Sequence, residues 1–245
     1  MVWTGGSVFG IHSGMSAALD ALRAQLDRLA PRAAPAGPAW STGLPALDAA
    51  LGGGVPRAGI TELVGVRGAG RTTVARRLVA EVLAADRWVV IVDAERTLAP
   101  QDWAGLGARL VVIRPHDATR APWCADRLLR SGVFSLVVLD GVRPLPRATS
   151  VRLAQLARER ETALLVLGAA PAVTPVVSGG PTLRLHVQAR PTAEVRVEKG
   201  APPARVPVPW HVAIRPRLAI TPPAADRRGA ARQRRPHGTP SRGRR

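Results

Sequence analysis

Apolar residues fall in short, nearly unbroken runs through the middle of the chain. ITELVG (60–65), WVVIV (88–92), LVVI (110–113), LVVL (136–139) and ALLVL (163–167) are rich in β-branched residues and lack strict polar alternation. Strands of that kind are buried on both faces by crossover helices. Between them lie segments with helical spacing, at 72–85 (TTVARRLVAEVLAA), 121–131 and 148–160. Leu44, Leu47 and Leu51 suit a further short helix. The alternation predicts an α/β class with a mostly parallel central sheet. Two stretches with true alternation, TLRLHVQ (182–188) and 193–198, read as less buried strands in an antiparallel extension. One more strand is expected at 210–215.

The ends have a different texture. Residues 1–15 are Gly-rich and read as a flexible N-terminus, with Met1 and Met15 both standing as starts. Ser16 is a plausible N-cap, and Leu19, Leu22, Leu26 and Leu29 recur at helical spacing over 16–30. Pro31 ends that helix, and PRAAPAGPAW (31–40) reads as a linker. Two readings of the leucine stripe stand side by side: a helix docked on its own core, or an arm that binds a partner. The main domain is expected over 41–220. From 221 to 245 Pro, Arg, Ala and Gly dominate without apolar periodicity, so a disordered basic tail is expected.

Charge sharpens that division. The chain of 245 residues carries a formal +18. From Lys199 onward twelve basic residues face one acid, Asp226, which assigns +11 to the C-terminal stretch and +7 to residues 1–198. A polyanion is a fitting partner for such a stretch. Arg227, Arg228, Arg232, Arg234, Arg235, Arg242, Arg244 and Arg245 would neutralise DNA phosphates without reading bases. The tail has no aromatic residue, so stacking on single strands is not its mode. A solvated terminus in an Arg-biased proteome is the competing reading, since 34 of the 35 basic residues are arginine. A single cysteine, Cys124, excludes an internal disulfide and a Cys-rich zinc site, and reads as core filler. Trp88, Trp123 and Trp210 read as core or edge anchors. No apolar stretch reaches the ~18 residues of a membrane span. With no signal-peptide pattern, the chain reads as cytoplasmic with no membrane partner.

Candidate chemistry sits at strand ends. GVRGAGRTT (65–73) follows a strand and opens a helix, matching G-x-x-x-x-G-K-[ST] at Gly65, Gly70 and Thr72. Backbone N–H groups of such a loop cradle phosphate, here with Gly68, Thr72 and Thr73 as neighbours. Arg71 occupies the lysine position, keeping the charge on a longer, planar group. An ordinary glycine turn entering a helix is the competing reading. LVVLD ends in Asp140, which suits either a magnesium-shell carboxylate or a strand-end cap. Glu95 lies just past another strand end, where ligands bind in open α/β sheets. A carboxylate there would orient an attacking water.

STGLPALDAALGGGVPRAGITELVGVRGAGRTT (41–73), VVIVDAERTLAP (89–100) and SLVVLDG (135–141) together resemble the RecA recombinase core. The similarity is greatest to the smaller ImuA-type, RecA-like proteins of bacterial mutagenesis cassettes, and spans roughly 41–200. The resemblance implies a P-loop NTPase core, with ATP or ADP and magnesium held by the loop, Thr72 and Asp140. It implies an accessory, non-recombinase role in SOS-induced, error-prone translesion synthesis and DNA repair. The implied partners are RecA, an ImuB-like Y-family polymerase homologue and an error-prone replicative-type polymerase. The alternative it leaves is an ATP-dependent RecA-like ATPase or recombinase paralogue. Departures from the RecA pattern bear on that choice. Arg71 replaces lysine, Ala99 stands where an Asp helps hold adenine, and Asp102 stands where an aromatic stacks on it. Gly168 and Ala169 stand where RecA carries an Asn–Gln pair whose Gln senses the γ-phosphate, so the sensor position is Ala169. Weak or absent ATPase activity is the expectation.

Overall fold

The computed structural model describes residues 37–169, 176–179, 181–189 and 193–208. The leucine stripe at 16–30, the strand expected at 210–215 and the basic tail lie outside them. The described chain opens with a two-residue strand, β1 (Ala39–Trp40), and a short helix, α1 (Pro45–Leu51). β2 (Val55–Pro56) pairs antiparallel with β1 in the register Ala39↔Pro56 and Trp40↔Val55. Gly54 permits this closure. Its φ is +122°, and a Cβ there would run into the carbonyl oxygen of Trp40.

The core then follows the predicted alternation. β3 (Gly59–Gly65) leads into α2 (Arg71–Ala84), then β4 (Val89–Asp93), β5 (Leu110–Ile113) and α3 (Ala121–Ser131). β6 (Leu136–Asp140), α4 (Arg147–Glu159) and β7 (Ala163–Ala169) follow, then β8 (Leu183–Gln188), β9 (Glu194–Lys199) and β10 (Ala204–Pro207). The eight-stranded sheet runs β10-β9-β8-β3-β7-β6-β4-β5. β8, β3, β7, β6, β4 and β5 are mutually parallel.

The unbroken apolar runs are explained by burial on both faces. Val90, Val92, Val137, Leu139, Leu164 and Val166 pack with Ala121, Ala125 and Leu129 of α3 and Leu153, Leu156 and Ala157 of α4. The alternate residues of the same strands face the other way, where α2 buries Val74, Leu78 and Val82 and touches β3, β4 and β7. Burying a Val or Leu side chain stabilises by about 1.5–3 kcal/mol, which sets this double layer as the main stabilising element.

Three expectations need correction. Leu183–Gln188 is not antiparallel: it pairs parallel with β3, in the register Thr61↔Leu183 through Val64↔His186. The antiparallel extension begins only with β9. Its alternating pattern instead reflects a buried–half-buried alternation along β8 (Leu183, Leu185 and Val187 inward). Of the core and edge alternatives for Trp88 and Trp123 the core one fails, since both are exposed, and Trp123 carries the guanidiniums of Arg120 and Arg127 over its ring at 4.9 and 5.5 Å. Cys124 is only half-buried, packed against the α3–α4 side of the core.

A candidate phosphate cleft

Four strand ends converge where β3, β4, β6 and β7 finish. The turn after β3 carries Ala69 N–H donating to the Val66 carbonyl at 3.0 Å, with Gly68 at φ +80° and Gly70 at φ +99°. Left-handed backbone at two positions is what glycine supplies at no steric cost. Gly70 caps α2 without a side-chain acceptor, so the first N–H groups of a 14-residue helix remain available to an anion.

A cleft of about 490 Å³ opens there. It brings together Gly68, Gly70, Arg71, Thr72, Thr73, Glu95 and Asp140, seven of the eight residues expected from sequence at the phosphate site. Gly65 is the exception. It sits at the buried end of β3, where a Cβ would meet the Val187 carbonyl oxygen at 2.6 Å, so it serves strand approach rather than lining. Five lining residues were not anticipated: Arg67, Thr97, Gly141, Val142 and Leu167. The glycine after Asp140 was the available signal. Gly141 has φ +73°, and a Cβ there would lie 2.8 Å from Glu95 Cγ and 3.0 Å from its Cβ. Only glycine lets the glutamate stem lie against the end of β6.

Electrostatics follow from this crowding. Burial pushes the Asp140 carboxyl above its ordinary range. The Arg71 guanidinium and the Gly141 backbone N–H pull it back, while the charges of Asp93 and Glu95 push it further up. A cation placed beside Asp140 would therefore be stabilising. Asp93, wholly buried, accepts from the backbone N–H groups of Thr97 (2.9 Å) and Leu98 (3.2 Å) and from Arg114 Nε (3.0 Å). It orders the segment that carries Glu95 and Thr97.

The donor set fits a hydrated magnesium ion. Magnesium is usually held by one or two carboxylates plus substrate phosphates and water. Thr72 and Asp140 line one cleft and would supply the protein oxygens.

The positions departing from the RecA pattern are also placed. Gly168 is buried on β7, and a Cβ there would meet Val176 Cγ2 at 2.9 Å and Val64 Cγ1 at 3.1 Å. A residue the size of asparagine has no room. Ala169 ends β7 opposite Gly65. Ala99 precedes a 3-10 turn, Pro100–Asp102, whose Asp102 carbonyl accepts from Arg76 Nε at 2.6 Å. Trp103 is buried and lines a separate apolar cavity of about 390 Å³ with Leu98, Pro100, Leu110 and Val112, so it is not a cleft platform. The partner stripe Leu19, Leu22, Leu26 and Leu29 and the tail arginines lie outside the described residues. Among those residues no helix is long and apolar enough to cross a membrane.

Comparison with known proteins agrees with this fold. Residues 25–154 match the model of the RecA N-terminal domain. The chain is similar to Protein RecA of Picosynechococcus sp., at 42% identity over 106 residues, covering 42% of this chain and 30% of that protein. It is similar to Protein RecA of Frankia casuarinae, at 40% over 145 residues, covering 54% and 42%. The DNA repair protein recA homolog 1, chloroplastic, of Arabidopsis thaliana is 38% identical over 113 residues, covering 44% and 26%. The chain therefore spans 26–42% of the length of these curated relatives.

Proposed function

The chain belongs to the RecA N-terminal domain family, and from that premise we propose that it is a non-recombinase accessory protein of DNA repair, of the ImuA type. In this reading it acts in SOS-induced, error-prone translesion synthesis. Its partners are RecA, an ImuB-like Y-family polymerase homologue and an error-prone replicative-type polymerase. The relatives' names speak of RecA and DNA repair, which supports the coarser half of the reading.

One observation carries the finer half. The cleft retains its phosphate-side and carboxylate groups, yet the position of the γ-phosphate-sensing glutamine is Ala169, a residue with no polar side chain, and β7 at the neighbouring Gly168 has no room for the asparagine of the pair. Arg71 stands where a compact ammonium would act. Such a cleft binds ATP or ADP with magnesium through Gly68, Gly70, Thr72, Thr73 and Asp140 without reporting the γ-phosphate to a DNA-binding segment. Magnesium, when bound, supplies positive charge to the phosphate oxygens. Glu95 holds a water by its carboxylate, and Arg71 offers a guanidinium to the anion.

The second reading, an ATP-dependent RecA-like ATPase or recombinase paralogue, is favoured by Glu95 and Asp140 lining the same cleft. ATP turnover measured with and without single-stranded DNA decides between them. Loss of a positioned transition-state group costs about 10²–10³ in rate, so turnover should be slow and unresponsive to DNA. Strong DNA stimulation that Glu95→Gln abolishes would overturn the accessory reading.

A further inference from the structure

β4 ends in a carboxylate with no access to water. Asp93 is 0% exposed, and a buried charge survives only when paired and hydrogen-bonded. Two of its partners are the backbone N–H groups of Thr97 and Leu98. The third comes from across the sheet edge. Arg114, the residue after β5, donates from Nε to Asp93 Oδ2 at 3.0 Å and from Nη2 to the Leu98 carbonyl at 2.5 Å. One guanidinium fork thus fastens the 94–98 segment twice, once through Asp93 and once directly.

The segment needs fastening. Arg96 within it has φ +58°, a left-handed conformation that costs a non-glycine residue free energy and persists only where its surroundings hold it. At its start, Ala94 N–H donates to the Asp140 carbonyl at 3.0 Å, and Glu95 lies against Gly141. From these contacts we infer that Arg114 is a positioning residue for the candidate phosphate cleft. It acts through Asp93 and Leu98 to hold Glu95 and Thr97 at the cleft wall. The inference rests on the reading of the cleft as a phosphate site, and it assigns this role to a residue that does not line that cleft.

Lysine at 114 would keep a positive charge beside Asp93 but lacks the planar fork that reaches two acceptors at once. Arg114→Lys and Arg114→Gln are compared with wild type by hydrogen exchange of the 94–98 backbone, by thermal melting, and by titration with a fluorescent ATP analogue plus magnesium. In Arg114→Lys the melting temperature should hold, while exchange at 94–98 rises about tenfold through local opening. Analogue affinity should fall about tenfold or more, as expected when a supporting shell loosens a site. Arg114→Gln should show the same changes and melt earlier. Unchanged exchange at 94–98 in a folded Arg114→Lys protein would overturn the inference, whatever the analogue does. If wild type fails to bind the analogue but exchange still rises in the variants, the clamp stands and the phosphate-site reading fails.

Discussion

Asp126 shows how much one side chain contributes to this fold. It lies on α3 and receives Arg152 Nε at 2.6 Å, Arg152 Nη2 at 3.2 Å and Arg130 Nε at 3.0 Å. The bond from Arg152, with help from Arg130, holds its carboxyl below the ordinary 3.8 despite its burial. A group with a folded pKa below its unfolded one contributes stability above the unfolded value and loses it as pH falls through the folded value. Wild type should therefore lose stability on acidification below about pH 4, and Asp126→Asn should lose less over that window. Denaturant melts at pH 7 and pH 3 check this, and identical pH slopes for both proteins would contradict it. At pH 7 the substitution should cost about 1–3 kcal/mol, the scale of a lost charged hydrogen-bond partner. Sequence alone did not single out Asp126, because the partner with the shorter bond, Arg152, is 26 positions away on a different helix.

At the scale of elements, helix and strand existence and the mostly parallel sheet were legible, and the order of strands within it was not. The helix at 121–131 was read to the residue, and those at 72–85 and 148–160 to within one, because apolar spacing and flanking glycines or prolines report local structure. The short helix α1 is instructive. Its N-cap, Leu44, offers no side-chain acceptor. Asp48 reaches back instead. Its carboxylate accepts from Ser41 Oγ (2.8 Å), Thr42 N–H (2.8 Å) and Thr42 Oγ1 (2.7 Å). It thus closes residues 41–48 into one unit that packs Leu44 and Leu47 into the core. Asp48→Ala should lower stability by about 1–2 kcal/mol, as expected for a lost cap. Asp48→Asn should recover part of that. Chemical denaturation of the two variants distinguishes a capping role from simple surface charge, which would give a negligible change for both. The parallel pairing of β8 with β3 went the other way. Its alternating pattern reports which face is buried, not which strand lies beside it.

At the scale of the whole molecule, charge rather than packing sets the expectation. The stretch from Lys199 carries +11 of the total +18, and phosphate neutralisation scales with the number of basic contacts. Removing residues 226–245 should weaken binding to DNA and flatten its dependence on salt, without preference for sequence. Fluorescence anisotropy of a labelled duplex across a salt series measures both. Binding and slope that match the full chain would assign the tail no part in DNA contact.

The sequence by itself determined the class and the chemistry on offer. Runs such as VVIVD and LVVLD declare buried parallel strands because each residue responds to burial locally, and GVRGAGRTT declares its loop because φ-permissive glycines have few other uses. Tertiary structure decided what those groups do together. It set Glu95 against Gly141, brought Asp140 under the opposing influences of Arg71 and Asp93, and closed β7 at Gly168 against Val64 and Val176. These are distances and fields between residues remote in the chain. They depend on strand order, which no local preference encodes. The same holds for Arg114, an unremarked arginine in an Arg-rich chain until the β4–β5 pairing puts its fork on Asp93.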